Sequence, residues 1–175
     1  MTVAAMTNVH ALATRPHVAT APRAKLAVPG SKAAIHDPRW PRVAAQLASL
    51  RGAGRHAVRI VDADCGAGSL LLHAARHARA LGFTAIECRG IDGSPALIGR
   101  ARAAAARCVD PAIGLSFDLT DMIAALEAEQ DFPADLVLWH GSPADHQRPE
   151  ALAAVRAAGQ VTIADHEPAA EQVAT

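Results

Sequence analysis

Aromatic side chains and an excess of charge of either sign are both missing from this sequence. Tyrosine is absent, aromatic residues make up 3% of the chain, and 17 basic side chains balance 17 acidic ones. A chain without net charge has no broad field that would attract a nucleic-acid backbone or an acidic membrane surface. The composition therefore gives no indication of a nucleic-acid or membrane partner.

Cysteines are few, and long hydrophobic runs do not occur. Cys65, Cys88 and Cys108 are odd in number and lack metal-ligand spacing, so we expect neither a disulfide framework nor a metal site. No apolar run approaches the roughly 18 residues of a membrane span, and no secretory apolar region follows Met1. Reduced thiols and the missing signals predict a soluble, cytoplasmic protein.

Half of the 175 residues are hydrophobic, which is enough to bury the core of one globular domain. Residues 1–36 differ from the rest, because they contain no acid, carry scattered prolines and show little periodicity. An acid-free, arginine-bearing N-terminus also resembles an organelle transit peptide, although serine is nearly missing. We predict a poorly ordered segment over 1–36, a domain over 37–168 and a tail over 169–175.

Short β-branched segments alternate with helical ones from about Pro38 onward. The predicted strands are AVRIVDA, TAIECRGID, IGLSFDLTD, ADLVLWH and QVTIAD, and amphipathic or alanine-rich helices lie before and between them. Strands that are apolar throughout and alternate with helices are typical of a parallel sheet covered on both faces. With right-handed crossovers, the pattern predicts a doubly wound α/β fold with five strands.

Aspartates follow three of the predicted strands, at the sheet edge where doubly wound folds bind ligands. The first of these turns, DADCGAG, would hold a pyrophosphate in a dinucleotide-binding protein. Here Leu71 takes the third glycine position, and Asp64 would repel the anion by about 4 kcal/mol at about 4 Å and an effective dielectric near 20. The acids instead suit the cationic groups, ribose hydroxyls and adenine amine of S-adenosylmethionine.

Five segments together resemble the successive motifs of class I S-adenosylmethionine-dependent methyltransferases. They are VRIVDADCGAGSLLL, GIDGSPALIGRAR, LSFDLTDM, ADLVLWHG and VRAAGQVTIAD, in the order and spacing of that family, over roughly residues 56–166. The resemblance implies a mostly parallel Rossmann-like sheet that binds S-adenosyl-L-methionine. It also implies an enzyme that transfers a methyl group in line to a small-molecule substrate.

The resemblance assigns roles to the residues that follow the strands. Asp92 would accept hydrogen bonds from both ribose hydroxyls, and Asp121 would accept one from the adenine amine. Asp62, Gly66 and Gly68 would form the turn at the methionine end of the cofactor. Trp139 and His140 would flank the transferable methyl group, and His140 would be the catalytic base where the acceptor must lose a proton. The implied cofactor-binding residues are Asp62, Asp64, Cys65, Gly66, Gly68, Asp92, Gly93, Asp121, Met122 and Trp139, and no metal ligand is implied.

Each of these residues also has a plainer interpretation. Asp62 and Asp92 could be turn formers, and Asp121 could be a helix cap. Asp118 could take the place of Asp121 at the adenine if the third strand ends earlier. In the same way His140 could be a loop histidine, Trp139 a core residue and Cys65 a small packed residue of the turn. His73 and His77 have the spacing of a metal pair, but the arginines beside them favour a solvated helix face.

Two departures from the family pattern leave a second function open. Asp64 stands where the family usually has glycine, so it would either pair with the ligand's ammonium group or crowd the pocket. After the fifth strand only HEPAAEQVAT follows, so we do not expect the family's final two strands. The alternative is a non-catalytic methyltransferase-like domain that binds the cofactor or a partner protein, with a homodimer covering the exposed sheet edge.

Overall fold

The computed structural model describes residues 32–141 and 147–165. Its helices are α1 (Lys32–Ile35), α2 (Trp40–Gly52), α3 (Ser69–Ala80), α4 (Pro95–Ala105), α5 (Met122–Glu127) and α6 (Pro149–Ala157). Its strands are β1 (Ala57–Asp62), β2 (Ala85–Asp92), β3 (Ile113–Leu119), β4 (Ala134–Trp139) and β5 (Gly159–Ala164).

The five strands form one parallel sheet in the order β3-β2-β1-β4-β5. The central strand β1 pairs on both sides, so that Ile60 lies between Cys88 and Leu136. The chain winds outward from β1 to β3 and then returns to place β4 against the other side of β1. This arrangement confirms the predicted doubly wound α/β fold and puts its switch point between β1 and β4.

Alternate residues of the central strand pack on opposite faces of the sheet. Ile60 belongs to a buried cluster with residues of α2, α3 and α4, including Leu47 and Leu71. Val61 belongs to a second cluster with residues of α5 and α6, including Leu126. Helices therefore cover both faces of the sheet, as the apolar strands predict.

The strand β3 is less buried than the sequence analysis predicts. Its residues alternate in exposure, with Phe117 buried and Leu119 exposed. The predicted burial of both sheet faces does not hold at β3, because α4 packs against one of its faces and alternate residues of the strand are exposed. Phe117 faces α4 and the turn after β1, so it is the residue of β3 that enters the core.

The chain before residue 37 contains an element that the sequence analysis does not predict. The short helix α1 buries Ala34, and its backbone leads directly into α2. The rest of the predicted N-terminal segment, residues 1–31, lies outside the described residues, as does the predicted tail at 169–175. None of the described helices is long and apolar enough to cross a membrane.

Candidate functional site

The turn after β1 is tied by its backbone to both neighbouring strands. The N–H of Ala63 donates to the carbonyl of Leu138 at 2.8 Å, and the N–H of Cys65 donates to the carbonyl of Ile91 at 3.0 Å. The turn therefore sits over the switch point, between the carboxyl ends of β2 and β4. Its position follows from the sheet order and is the one at which this fold class binds ligands.

Two glycines of this turn have left-handed backbones, with φ of +55° at Gly66 and +75° at Gly68. A Cβ atom on Gly68 would lie 2.8 Å from the ring of Phe117, so this glycine also makes room for the core. A Cβ atom on Gly66 would meet no atom within 4 Å. Gly66 therefore leaves space for a ligand beside its backbone. A Cβ atom on Gly93 would likewise meet no atom within 4 Å.

Asp92 connects the end of β2 to this turn. Its Oδ2 accepts a hydrogen bond from the N–H of Gly66 at 2.9 Å, and its Oδ1 accepts one from the N–H of Ser94 at 2.7 Å. Ser94 itself makes no side-chain cap to α4. Each carboxylate oxygen has a second lone pair, so Asp92 has the capacity to accept two further hydrogen bonds, as a ribose diol would require.

Asp62 is buried beneath the turn and faces an arginine. Nη1 of Arg39 lies 3.7 Å from Oδ1 of Asp62, and this oxygen accepts no hydrogen bond within the described part of the chain. Burial raises the pKa of the Asp62 carboxyl to about 7, and the positive charge of Arg39 opposes that rise. The protein thus supplies one cation to the acid that the resemblance assigns to the methionine end of the cofactor.

Arg39 is a residue of this edge that the sequence analysis missed. It binds both carboxylate oxygens of Asp37, with Nε 3.0 Å from Oδ1 and Nη2 2.9 Å from Oδ2. Its Nε also lies 2.9 Å from Oδ1 of Asp165, the residue after β5. Together these acids raise the pKa of Arg39, against the effect of its burial. The one signal in the sequence was a set of acids at strand ends with no assigned counter-ion.

Asp64 lies across the switch point from the end of β4. Its Oδ2 accepts a hydrogen bond from the N–H of Gly141 at 3.1 Å. Asp64 therefore contacts the protein's own backbone, a role that the sequence analysis did not consider. The residue is partly buried, and its backbone has no positive φ, so the turn accommodates it without left-handed strain.

Asp121 and Met122 lie at the start of α5, after the edge strand β3. Oδ1 of Asp121 accepts a hydrogen bond from the N–H of Ala124 at 3.1 Å, which makes it a helix cap. Asp118 lies within β3 and binds Nε of Arg89 at 2.7 Å. A capping carboxylate keeps a second oxygen, so the predicted contact with an adenine amine stays a prediction for Asp121.

Trp139 and Cys65 are packed in the core. Trp139 belongs to the apolar cluster beneath α5 and α6 and lines a cavity of about 150 Å³ beside β5. Cys65 is buried, and burial, with nearby acids, raises the pKa of its thiol. These positions agree with the plainer interpretation of both residues, and the predicted contact of Trp139 with the methyl group stays a prediction.

The two histidines of α3 contact the first residue of α2. The ring centroid of Trp40 lies 4.1 Å from that of His73 and 5.1 Å from that of His77, in edge-on contacts. Both histidines stay partly exposed and Arg76 and Arg79 are exposed, so Trp40 covers only part of the predicted solvated face. Among the residues that the structure describes, no group of three or more His, Cys, Asp or Glu side chains could hold a metal ion.

Comparison with solved structures finds methyltransferases among the chains of similar fold. A candidate class I S-adenosylmethionine-dependent methyltransferase from Listeria monocytogenes is 24% identical over 62% of this chain and 33% of its own length, with a TM-score of 0.47. The bifunctional kinase-methyltransferase WbdD is 22% identical over 70% of this chain and 27% of its own, with a TM-score of 0.53. Magnesium protoporphyrin IX methyltransferase from Synechocystis PCC 6803, solved with bound S-adenosylmethionine, is 17% identical over 74% and 60%, with a TM-score of 0.48.

This chain spans less than two thirds of each of those three proteins. Neither a protein-family model nor a curated protein sequence matches it. At these identities the likeness concerns the fold alone. Of the three superpositions, the one on WbdD has a TM-score above 0.5. The sheet order, the glycine turn at the switch point and this superposition agree that the described chain has a doubly wound, Rossmann-like α/β fold similar to one found in WbdD.

Proposed function

We propose that this protein binds S-adenosylmethionine at the carboxyl edge of its sheet and transfers the methyl group to a small-molecule acceptor. The observation that carries the proposal is the hydrogen bond between Asp92 and Gly66. It brings an acid with free acceptor capacity against an open glycine backbone at the switch point. A ribose diol and the rest of a phosphate-free nucleoside match this pair, whereas a pyrophosphate would meet the carboxylates of Asp64 and Asp92.

Different residues would hold different parts of the cofactor. Asp92 would accept the ribose hydroxyls, and Gly66 and Gly93 would leave space for the backbone to approach the ligand. Asp121 and Met122 would flank the adenine. When bound, S-adenosylmethionine supplies a methyl group on a positively charged sulfur, and the sulfur keeps the bonding electrons when that group leaves.

In-line displacement depends mainly on the orientation of donor and acceptor and on the exclusion of water. It depends less on acid or base groups of the protein. The chain's main task would be to hold donor and acceptor in line at the switch point. Where the acceptor carries a proton that must leave, His140 at the end of β4 is the base within this edge.

Binding is tested by isothermal titration calorimetry with S-adenosylmethionine, its demethylated product and NAD. We expect the wild type to bind the first two, and Asp92→Ala to weaken both at least about tenfold, since a hydrogen bond to a charged group contributes about 1.5–3 kcal/mol. Asp118→Ala is the matched control, because Asp118 lies on the neighbouring strand and binds Arg89 instead. Thermal unfolding of each variant separates lost binding from lost fold.

The result that would overturn the proposal is a wild type that binds neither S-adenosylmethionine nor its product. Binding of NAD in their place would restore the dinucleotide interpretation. Equal loss in Asp92→Ala and Asp118→Ala would show that the effect is not specific to the turn.

One observation favours the alternative function, a methyltransferase-like domain that binds the cofactor or a partner protein without catalysis. Asp62 already faces Arg39, and Asp64 already binds Gly141, so both acids at the methionine end have protein partners. Cofactor binding without methyl transfer to any of a panel of phenols, amines and thiols would support this alternative. The predicted homodimer is tested separately by sedimentation velocity of the full chain.

A further inference from the structure

The carboxylate of Asp165 bridges two nitrogen-bearing side chains at the carboxyl edge of the sheet. Its Oδ2 contacts Nδ1 of His140, and its Oδ1 lies 2.9 Å from Nε of Arg39. The pairing of β4 with β5 explains the first contact, because Trp139 is in register with Ala164 and the next residue of each strand is the pair in question. Adjacent parallel strands thus bring His140 and Asp165 together.

Arg39 contacts the carboxylate oxygen of Asp165 that His140 does not contact. Its side chain is 7% exposed, and Arg39, which contacts it, is itself fixed by the two hydrogen bonds to Asp37. The guanidinium also faces Asp62 beneath the glycine turn. One buried cation therefore connects the His140 and Asp165 pair to the turn after β1.

The contact at Nδ1 decides which nitrogen of the imidazole carries the proton. A carboxylate only accepts hydrogen bonds, so a neutral ring beside Asp165 donates from Nδ1 and keeps the lone pair on Nε2. The side chain of His140 is 66% exposed, whereas that of Asp165 is buried. The accepting nitrogen is therefore the one turned away from the buried acid.

We propose that Asp165, anchored by Arg39, is the positioning residue that holds His140 as the Nδ1–H tautomer with Nε2 ready to accept a proton. The use of that lone pair rests on the proposed function. In that reaction the O–H or N–H bond of the acceptor breaks, its proton moves to Nε2, and the electron pair stays on the acceptor atom. The negative charge of Asp165 stabilises the imidazolium that forms.

The test is the tautomer of His140, measured by long-range ¹H–¹⁵N NMR spectra of the full-length protein at about pH 8.5, above the ordinary imidazole range. The chain has 9 histidines, and the signal of His140 is assigned as the one missing from His140→Gln. We expect the ring of the wild type to be protonated at Nδ1. A wild-type ring protonated at Nε2 would overturn the proposal, and this measurement needs no variant of Asp165.

Asp165→Asn provides the second arm, because it changes the charge and not the size of the side chain. The amide nitrogen cannot face the donors of Arg39, so the amide oxygen turns to Arg39 and the amide nitrogen turns to His140. Nδ1 must then accept, and we expect the tautomer to invert to Nε2–H. Asp118→Asn is the matched control and leaves the tautomer unchanged. An unchanged tautomer in a folded Asp165→Asn protein would contradict the inference.

Cofactor binding in the same samples separates this inference from the proposed function. If His140 has the Nδ1–H tautomer but the protein binds no S-adenosylmethionine, the positioning role of Asp165 stands and the methyltransferase proposal is contradicted. Full cofactor binding by a protein with the Nε2–H tautomer would contradict the positioning role of Asp165 and leave the methyltransferase proposal intact. We expect Asp165→Asn to bind S-adenosylmethionine within about threefold of the wild type, since the contacts of Asp165 within the described part of the chain are with His140 and Arg39.

Discussion

Oδ2 of Asp64 accepts a hydrogen bond at 3.1 Å from the backbone N–H of Gly141, across the point where the winding of the sheet reverses. The bond ties the turn after β1 to the residue that follows His140. Asp64→Ala would leave the buried Gly141 N–H without this acceptor. We expect a loss of about 1–2 kcal/mol in the free energy of unfolding, measured by urea denaturation.

Asp64→Asn is the matched variant, since its amide oxygen can still accept from Gly141. We expect this variant to retain more than half of the free energy of unfolding that is lost in Asp64→Ala. If the asparagine and alanine variants were equally destabilised, the negative charge and not the hydrogen bond would be responsible. Asp64→Gly introduces the glycine that is usual at this position in the family that the sequence resembles. Tighter cofactor binding by this variant would show that Asp64 crowds the pocket.

The two glycines of the turn should respond differently to alanine. Gly68→Ala places a Cβ atom 2.8 Å from the ring of Phe117 in addition to left-handed strain, and we expect a loss of about 3 kcal/mol. Gly66→Ala meets open space, so we expect the strain alone, about 1 kcal/mol. Urea denaturation compares the two, and a double-mutant cycle of Gly68→Ala with Phe117→Leu should show coupling. Equal losses in the two glycine variants would contradict the role of the ring.

The buried carboxyl of Asp62 should make stability depend on pH. Its pKa is raised from 3.8 to about 7, so between these values the folded state keeps a proton that the unfolded state has lost. Stability therefore falls as the pH rises through this window and levels off above it. Asp37, whose pKa is lowered, acts at more acidic pH and leaves this window unaffected.

Asp62→Asn removes the titrating group without changing its shape. From about pH 5 to about pH 8 we expect the wild type to lose on the order of 2 kcal/mol more stability than Asp62→Asn, measured by urea denaturation at each pH. Parallel pH profiles for the two proteins would show that Arg39 keeps Asp62 ionised throughout.

Glu129 forms a buried ion-pair centre at the other end of the sheet. Its Oε2 lies 2.8 Å from Nη2 of Arg59, and its Oε1 contacts Nη1 of Arg89. Glu129→Ala leaves two partly buried guanidinium groups without this partner, and we expect a loss of about 3 kcal/mol in unfolding experiments. Glu87→Ala is the control, because the exposed Glu87 also pairs with Arg59 and should cost less than about 0.5 kcal/mol. Similar losses in both variants would refute the importance of burial.

Periodicity and turn chemistry predicted the elements of the sheet because those signals are local. The strands β1, β2, β4 and β5 are short and mostly apolar, and they match their predicted segments to within a few residues. The predicted turns at Gly66 and Asp92 lie together because the carboxyl ends of neighbouring parallel strands share one edge. Local signals failed where exposure depends on neighbours, as at β3 and, in part, at the histidine face beneath Trp40.

The sequence by itself determined the α/β alternation, the order of the strand-end motifs and the glycine turn, since these follow from hydrophobic period and backbone freedom. Only the tertiary structure decided which charges meet. Arg39 comes from the turn before α2, His140 from the end of β4 and Asp165 from the end of β5, and no spacing along the chain relates them. They meet because a desolvated guanidinium is stable only among carboxylates, and the strand order brings those carboxylates to one edge.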